Sequence, residues 1–178
     1  DERMRNAIVE RNIFRSGAST LQQLFTWAQE ITVRNNIFDT TGASNHYALG
    51  VVRRGIEPSP DNVRVYNNTF YSSNTDNDFI AVEIGTTATN ITVRNNLAYA
   101  PNDSSHVMLS GTGASGLVAS NNSTNAQVQS TNTGFVSANP VNPADFALTS
   151  GSYAINSGIS LPLFSDFFRA LRPQGGSY

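Results

Sequence analysis

Ile31-Thr32-Val33-Arg34-Asn35-Asn36-Ile37-Phe38 decides the fold of this chain. Ile31 and Val33 alternate with Thr32 and Arg34, which is the period of a strand with one buried face, and the run ends on asparagine. The pattern returns in residues 7–14 (AIVERNIF), 63–70 (VRVYNNTF), 91–98 (ITVRNNLA) and 117–124 (LVASNNST). The aligned asparagines are Asn12, Asn36, Asn68, Asn96 and Asn122, spaced 24, 32, 28 and 26 residues apart. An irregular period in the twenties with strand alternation excludes most helical repeats and predicts a β-solenoid.

Stacking the segments at about 4.8 Å places Ile31, Val63, Ile91 and Leu117 in one interior column and Val33, Val65, Val93 and Ala119 in the next. No single segment could bury its apolar face alone; stacked neighbours bury it together. Asparagine tolerates the left-handed backbone region, and its amide can both donate and accept, so it can turn the chain and form a ladder between coils. Asn35, Asn67, Asn95 and Asn121 sit one place earlier, so the two jobs can be split within each pair. Arg11 replaces the first asparagine of the earliest pair, and that column is expected to break there. A second strand family, residues 48–55, 79–85 and 107–111, ends each time on glycine. Leu24 to Trp27 is the expected equivalent one coil earlier, with an amphipathic helix over 19–30 as the alternative.

The composition narrows the function classes. The chain has 178 residues, enough to bury a real core, but only 13% are charged. There is no lysine, which removes mechanisms that need a lysine base or Schiff base. A net charge of -2 gives no basic field for nucleic acid. Cysteine is absent, so there is neither a disulfide frame nor a thiolate metal site. No apolar run is long enough for a membrane span.

The repeated xVxNNxF pattern resembles the pectate-lyase-type right-handed parallel β-helix proteins. The C-terminal stretches 145–158 (DFALTSGSYAINSG) and 166–175 (DFFRALRPQG) resemble the closing segments of secreted members. The chain departs from that closing pattern at Tyr153, Asn156 and Phe168. The resemblance implies an all-β, right-handed parallel β-helix of about five to six rungs. It forms one domain over 1–178, with rungs over about 5–135 and a closing segment over about 136–178. It also implies export to the cell surface or medium of a bacterium. The Gly-ended strands would line the sheet on which family members bind sugar chains.

On that sheet Glu83 alternates outward between Val82 and Ile84, with Asp76 and Asp78 just before it. Three neighbouring carboxylates suit calcium, and two suit acid/base cleavage of a glycosidic bond. Arg53, expected to align with Glu83, and the adjacent Arg54 would meet a uronate carboxylate or supply the base of a lyase; a cross-rung Arg53–Glu83 pair is the structural alternative. His46 and His106 precede strands of the same family, and His46 is a candidate acid or base. Arg34, Tyr66 and Arg94 form an outward column that could grip carboxylated sugars or could be a solvated face. No cofactor is required, with calcium the one candidate.

Two readings stand open. In one, the protein is an exported carbohydrate-active β-helix acting on or binding an acidic polysaccharide, with lyase or hydrolase chemistry if it is an enzyme. In the other, it is a non-catalytic binding, adhesion or structural module. Leu161, Leu163, Phe164, Phe167 and Phe168 are expected to cap or cover one end. No obvious cap precedes Ala7, so two expectations stand for that end: the chain is the C-terminal part of a larger β-helix whose earlier rungs cover it, or a second copy stacks on the first rung.

Overall fold

The computed structural model describes residues 5–15, 22–25, 29–42, 47–53, 55–56, 58–75, 78–129, 134–163 and 165–172. Described strands are short and pair in parallel in three sheets. The first sheet stacks β1 (Ile8–Glu10), β4 (Thr32–Arg34), β7 (Arg64–Tyr66), β10 (Thr92–Arg94) and β13 (Val118–Ser120). In the second lie β2 (Ile13–Arg15), β5 (Ile37–Asp39), β8 (Thr69–Tyr71) and β11 (Leu97–Tyr99). β3 (Gln22–Phe25), β6 (Tyr47–Val51), β9 (Ile80–Ile84) and β12 (Val107–Ser110) make the third. The chain visits the three sheets in turn and so winds a β-solenoid.

Inside it, the columns follow the alternation. Val9, Val33, Val65, Val93 and Ala119 are in register. Val33, Val65 and Val93 are fully buried, whereas Ala119 in the last coil is exposed. Each fully buried valine of this kind stabilises by roughly 1.5–3 kcal/mol. On the second sheet Phe14, Phe38 and Phe70 stack ring on ring at 4.8 and 4.9 Å, and Ala98 follows them in register.

Two left-handed bends bracket every strand of the first sheet. The second falls at Arg11, Asn35, Asn67, Asn95 and Asn121, with φ between 52° and 56°. The first falls five residues earlier, at Asn6, Glu30, Asn62, Asn90 and Gly116. The sequence reading missed this earlier column, although three of its members are asparagine. At Gly116 φ is +70°, and a Cβ would stand 2.8 Å from Asn90 Oδ1, so a side chain there would displace the Asn90 amide. Arg11 keeps the bend; what breaks there is the column of side-chain amides, not the backbone path.

The second asparagine of each pair forms the ladder. Asn12, Asn36, Asn68 and Asn96 each donate both the backbone N–H and Nδ2 to Oδ1 of the asparagine in the next coil, at 2.9–3.1 Å. Nδ2 of Asn36, Asn68, Asn96 and Asn122 also donates to the backbone carbonyls of Val9, Val33, Val65 and Val93. Asn36, Asn68 and Asn96 are buried, so these bonds are shielded from water.

Three expectations need correcting. The strand expected at Leu24–Trp27 lies at Gln22–Phe25 and pairs with β6, in place of the alternative helix. Gly55 is not the partner of Gly85, because Gly85 stands against Val52, where an added Cβ would approach the Val52 Cα to 3.2 Å. Of the residues expected to cap or cover one end, Phe164 lies outside the described residues, whereas Leu161 and Leu163 pack on Tyr66 along the side of the first sheet. A short helix, α1 (Asn125–Gln129), sits at the last coil, with Val128 fully buried and its carbonyl accepting from Ala100 N–H.

The ladder predicts a contrast between neighbours. Asn68→Leu removes the acceptor of two Asn36 donors and the donor to Val33, and should cost about 3 kcal/mol or more in urea unfolding. Asn67→Gly keeps a residue that accepts φ of 52°, and should stay within about 1 kcal/mol of the parent.

Candidate functional site

The third sheet carries the acidic candidate. Register places Glu83 between Gly50 of β6 and Ser110 of β12. The half-exposed carboxylate therefore has a residue without a side chain on one side and a small hydroxyl on the other. Arg53 is not its neighbour: it lies past Val52, the residue opposite Gly85, and is exposed. The expected alignment failed because the sixth strand ends at Val51 and the chain takes extra residues before its next bend. Asp78 is exposed in the segment before β9. His46, Arg54 and Asp76 lie outside the described residues. Among the described residues no three His, Asp or Glu side chains gather as a metal-holding group.

Arg34, Tyr66 and Arg94 form one column on the first sheet, extended by Glu10 and Ser120. Glu10 accepts from Arg34 Nε and Arg11 Nη1, each at 2.6 Å. Tyr66 is only 8% exposed, because Leu161 and Leu163 pack on it. Arg94 Nε is buried and has no hydrogen-bond partner among the described residues. The column is thus occupied at its middle by the C-terminal segment.

That segment is held by the bend asparagines. Asn121 Nδ2 donates to the Ser157 carbonyl, Asn95 Nδ2 to Ile159 and Asn35 Nδ2 to Ser165. Ile159 N–H returns a bond to Asn95 Oδ1, and Arg11 donates to the Asp166 carbonyl and the Ser165 hydroxyl. Residues 157–163 and 165–166 therefore lie as a strap from the last coil back to the first. A neighbouring part of the tail covers the second sheet, where Phe135 and Phe146 meet the outward rings of Tyr99 and Tyr71 edge-on.

A groove of about 400 Å³ lies between the solenoid and the tail residues that precede and follow the strap. Its floor is the column Ile37, Thr69 and Leu97 with the adjoining asparagine pairs. From the tail its lining includes Phe146, Leu148 and Ile155 before the strap and Phe167, Phe168 and Arg172 after it. Sequence reasoning did not find it. The signal was available in the outward apolar positions Ile37, Tyr71 and Tyr99, which a solvated sheet would not carry.

His106, the second histidine considered, is structural in its contacts. Nδ1 lies 2.7 Å from the Asp103 carbonyl and Nε2 lies 2.6 Å from the Asn125 carbonyl. Both partners are acceptors, so the ring ties the 101–106 loop to the start of α1. The fully buried Asp103 carboxylate accepts from Phe79 and Ser105 N–H, which fixes the same loop.

Comparison with protein-family models, with curated proteins and with solved structures finds no match for this chain. No helix among the described residues is long and apolar enough to cross a membrane.

The Glu10 cluster has a pH consequence. Partial burial works to raise its pKa, but the Arg34 hydrogen bond and charge, with Arg11, outweigh it and hold the carboxyl below its ordinary 4.5. A lowered pKa stabilises the fold above the unfolded value and loses that contribution as pH falls through the folded one. Stability should therefore decline below about pH 4.5 by up to about 1 kcal/mol from this group. Glu10→Gln should flatten that part of the urea-midpoint profile.

Proposed function

We propose that this protein is an exported bacterial β-helix, right-handed and of about five to six rungs, that binds an acidic polysaccharide along its third sheet. The observation that carries the reading is the position of Glu83 between Gly50 and Ser110. Small neighbours leave room for a sugar chain to lie across the strands beside one fixed carboxylate. In this reading Glu83 accepts from sugar hydroxyls, directly or through a calcium ion shared with the substrate's own carboxylates. Exposed Arg53 supplies the charge that attracts those carboxylates.

Binding is favoured over hydrolysis by one feature. Glu83 is the single carboxylate in the four strands of this sheet, whereas glycoside hydrolysis calls on a flanking pair. Lyase chemistry with an arginine base is the catalytic alternative. Among the described residues β1 and β2 are edge strands of their sheets, and their exposed Ile8 and Ile13 support end-to-end stacking of a second copy.

Retention on immobilised polygalacturonate or alginate with calcium present is the expected result. Glu83→Gln and Arg53→Ala should each weaken it about tenfold or more, equivalent to about 1.4 kcal/mol. Loss of polymer length with new absorbance from an unsaturated uronate would replace the binding reading with the lyase. Failure of both polymers to bind or change would overturn both.

A further inference from the structure

We propose a second ligand site, for a neutral sugar, in the groove between the bend asparagines and the C-terminal tail. It lies at the corner between the first and second sheets, away from the third sheet, and it does not depend on the polysaccharide reading above.

The argument begins with hydrogen-bond accounting. Two of the groove's lining residues, Asn35 and Asn67, have buried side-chain carbonyl oxygens with no hydrogen-bond donor among the described residues. Asn35 as a whole is 2% exposed. A buried amide oxygen without a donor costs about 1–3 kcal/mol, so such groups are normally satisfied by protein, water or ligand. Asn95 shows the contrast: the strap satisfies its Oδ1 through Ile159 N–H. At Asn35 the strap supplies an acceptor to Nδ2 and leaves Oδ1 over. At Asn67 it supplies no donor to Oδ1.

The surroundings define what could supply the missing donors. The groove volume of about 400 Å³ falls within the ordinary range for small-ligand pockets. Its floor spans three successive coils, so Ile37, Thr69 and Leu97 extend about 10 Å along the axis. Phe168 is 47% exposed at the rim and meets Phe167 edge-on at 5.1 Å. Leu148 and Ile155, also in the lining, are exposed. A ligand that fits needs hydroxyl donors for a carbonyl-rich floor and apolar C–H faces for the aromatic and aliphatic walls. Pyranose rings carry both, and a groove of this length takes about two of them. The groove side chains include one carboxylate, on Asp166, and one guanidinium, on Arg172, so the balance favours an uncharged sugar over a uronate.

Entry follows from the way the walls are held. Asp166 Oδ1 accepts from Ala170 N–H, and its carbonyl accepts from Arg11 Nε, which fixes the turn presenting Phe167 and Phe168. Phe146, also in the lining, is buried against Tyr71 and Phe135. Both parts of the lining are thus anchored before any ligand arrives, which lowers the ordering cost of binding.

The test is side-chain amide NMR of the intact chain titrated with maltotriose, cellotriose or mannotriose to about 10 mM, enough to detect millimolar binding. The expected result is that one trisaccharide shifts the Nδ2 resonances of Asn35 and Asn67 while those of Asn12 stay put. Phe168→Ala should weaken that binding about tenfold, the loss of one ring contact, with its urea midpoint unchanged. Asn67→Gly should weaken it too while keeping the bend. No shift at Asn35 and Asn67 with any of the three sugars overturns the proposal and leaves the groove filled by water. Shifts confined to the backbone amides of Glu83 and Ser110 in the same spectra would also overturn it, since they assign the sugar to the third sheet.

Discussion

The whole solenoid depends on one constraint: the chain must turn through the left-handed region twice within six residues and bury an amide at the second turn. Left-handed backbone costs most L-residues about 1–2 kcal/mol. Asparagine, whose side chain can bond locally, tolerates it better. The split observed in each pair follows from this. The first asparagine takes the strained backbone, and the second keeps an ordinary φ and turns its amide into the ladder. Arg11 and Glu30 occupy left-handed positions without that advantage, and both belong to the first two coils. The guanidinium of Arg11 then bonds Glu10, Ser165 and Asp166, contacts that offset the cost of its bend.

The bends also determine where the tail can go. Their side chains leave the solenoid and present amides at successive heights, and the strap collects one from each of three coils. Ordinary cross-coil contacts join only neighbours, whereas the strap ties the last coil to the first. It hides Tyr66, and its end at Asp166 leads into the groove-lining Phe167 and Phe168, so the same asparagines govern both stability and shape. The outer face of the third sheet is formed separately from this corner. Its character comes from Gly50, Glu83 and Ser110, residues whose side chains are too different to form a ladder.

The first sheet was largely legible in the sequence. Val33, Val65 and Val93 repeat at strand period just before an asparagine pair, and both signals mark the same register. The third sheet was less so, because glycine at a strand end can serve several turns. Gly111 is held there by φ of +74° and by the Ile84 carbonyl beside it, while Gly55 follows an irregular extension and aligns with neither Gly85 nor Gly111. That slip carried the misplaced pairing of Arg53 with Glu83. The strap was illegible for a different reason. Its bonds run from asparagine amides to backbone carbonyls, and carbonyls leave no mark in a sequence. Only the outward Ile37, Tyr71 and Tyr99 hinted that something covered the second sheet.

The most direct test of the asparagine account is hydrogen exchange of the side-chain amides themselves. Asn36, Asn68 and Asn96, buried and bonded above and below, should exchange orders of magnitude more slowly than exposed Asn139, close to the rate set by global opening. Asn12, laddered on one side only, should fall between them. Rapid exchange at Asn68 equal to that of Asn139, in a chain that still gives the circular dichroism of a β-solenoid, would show that the amides do not hold the coils in register.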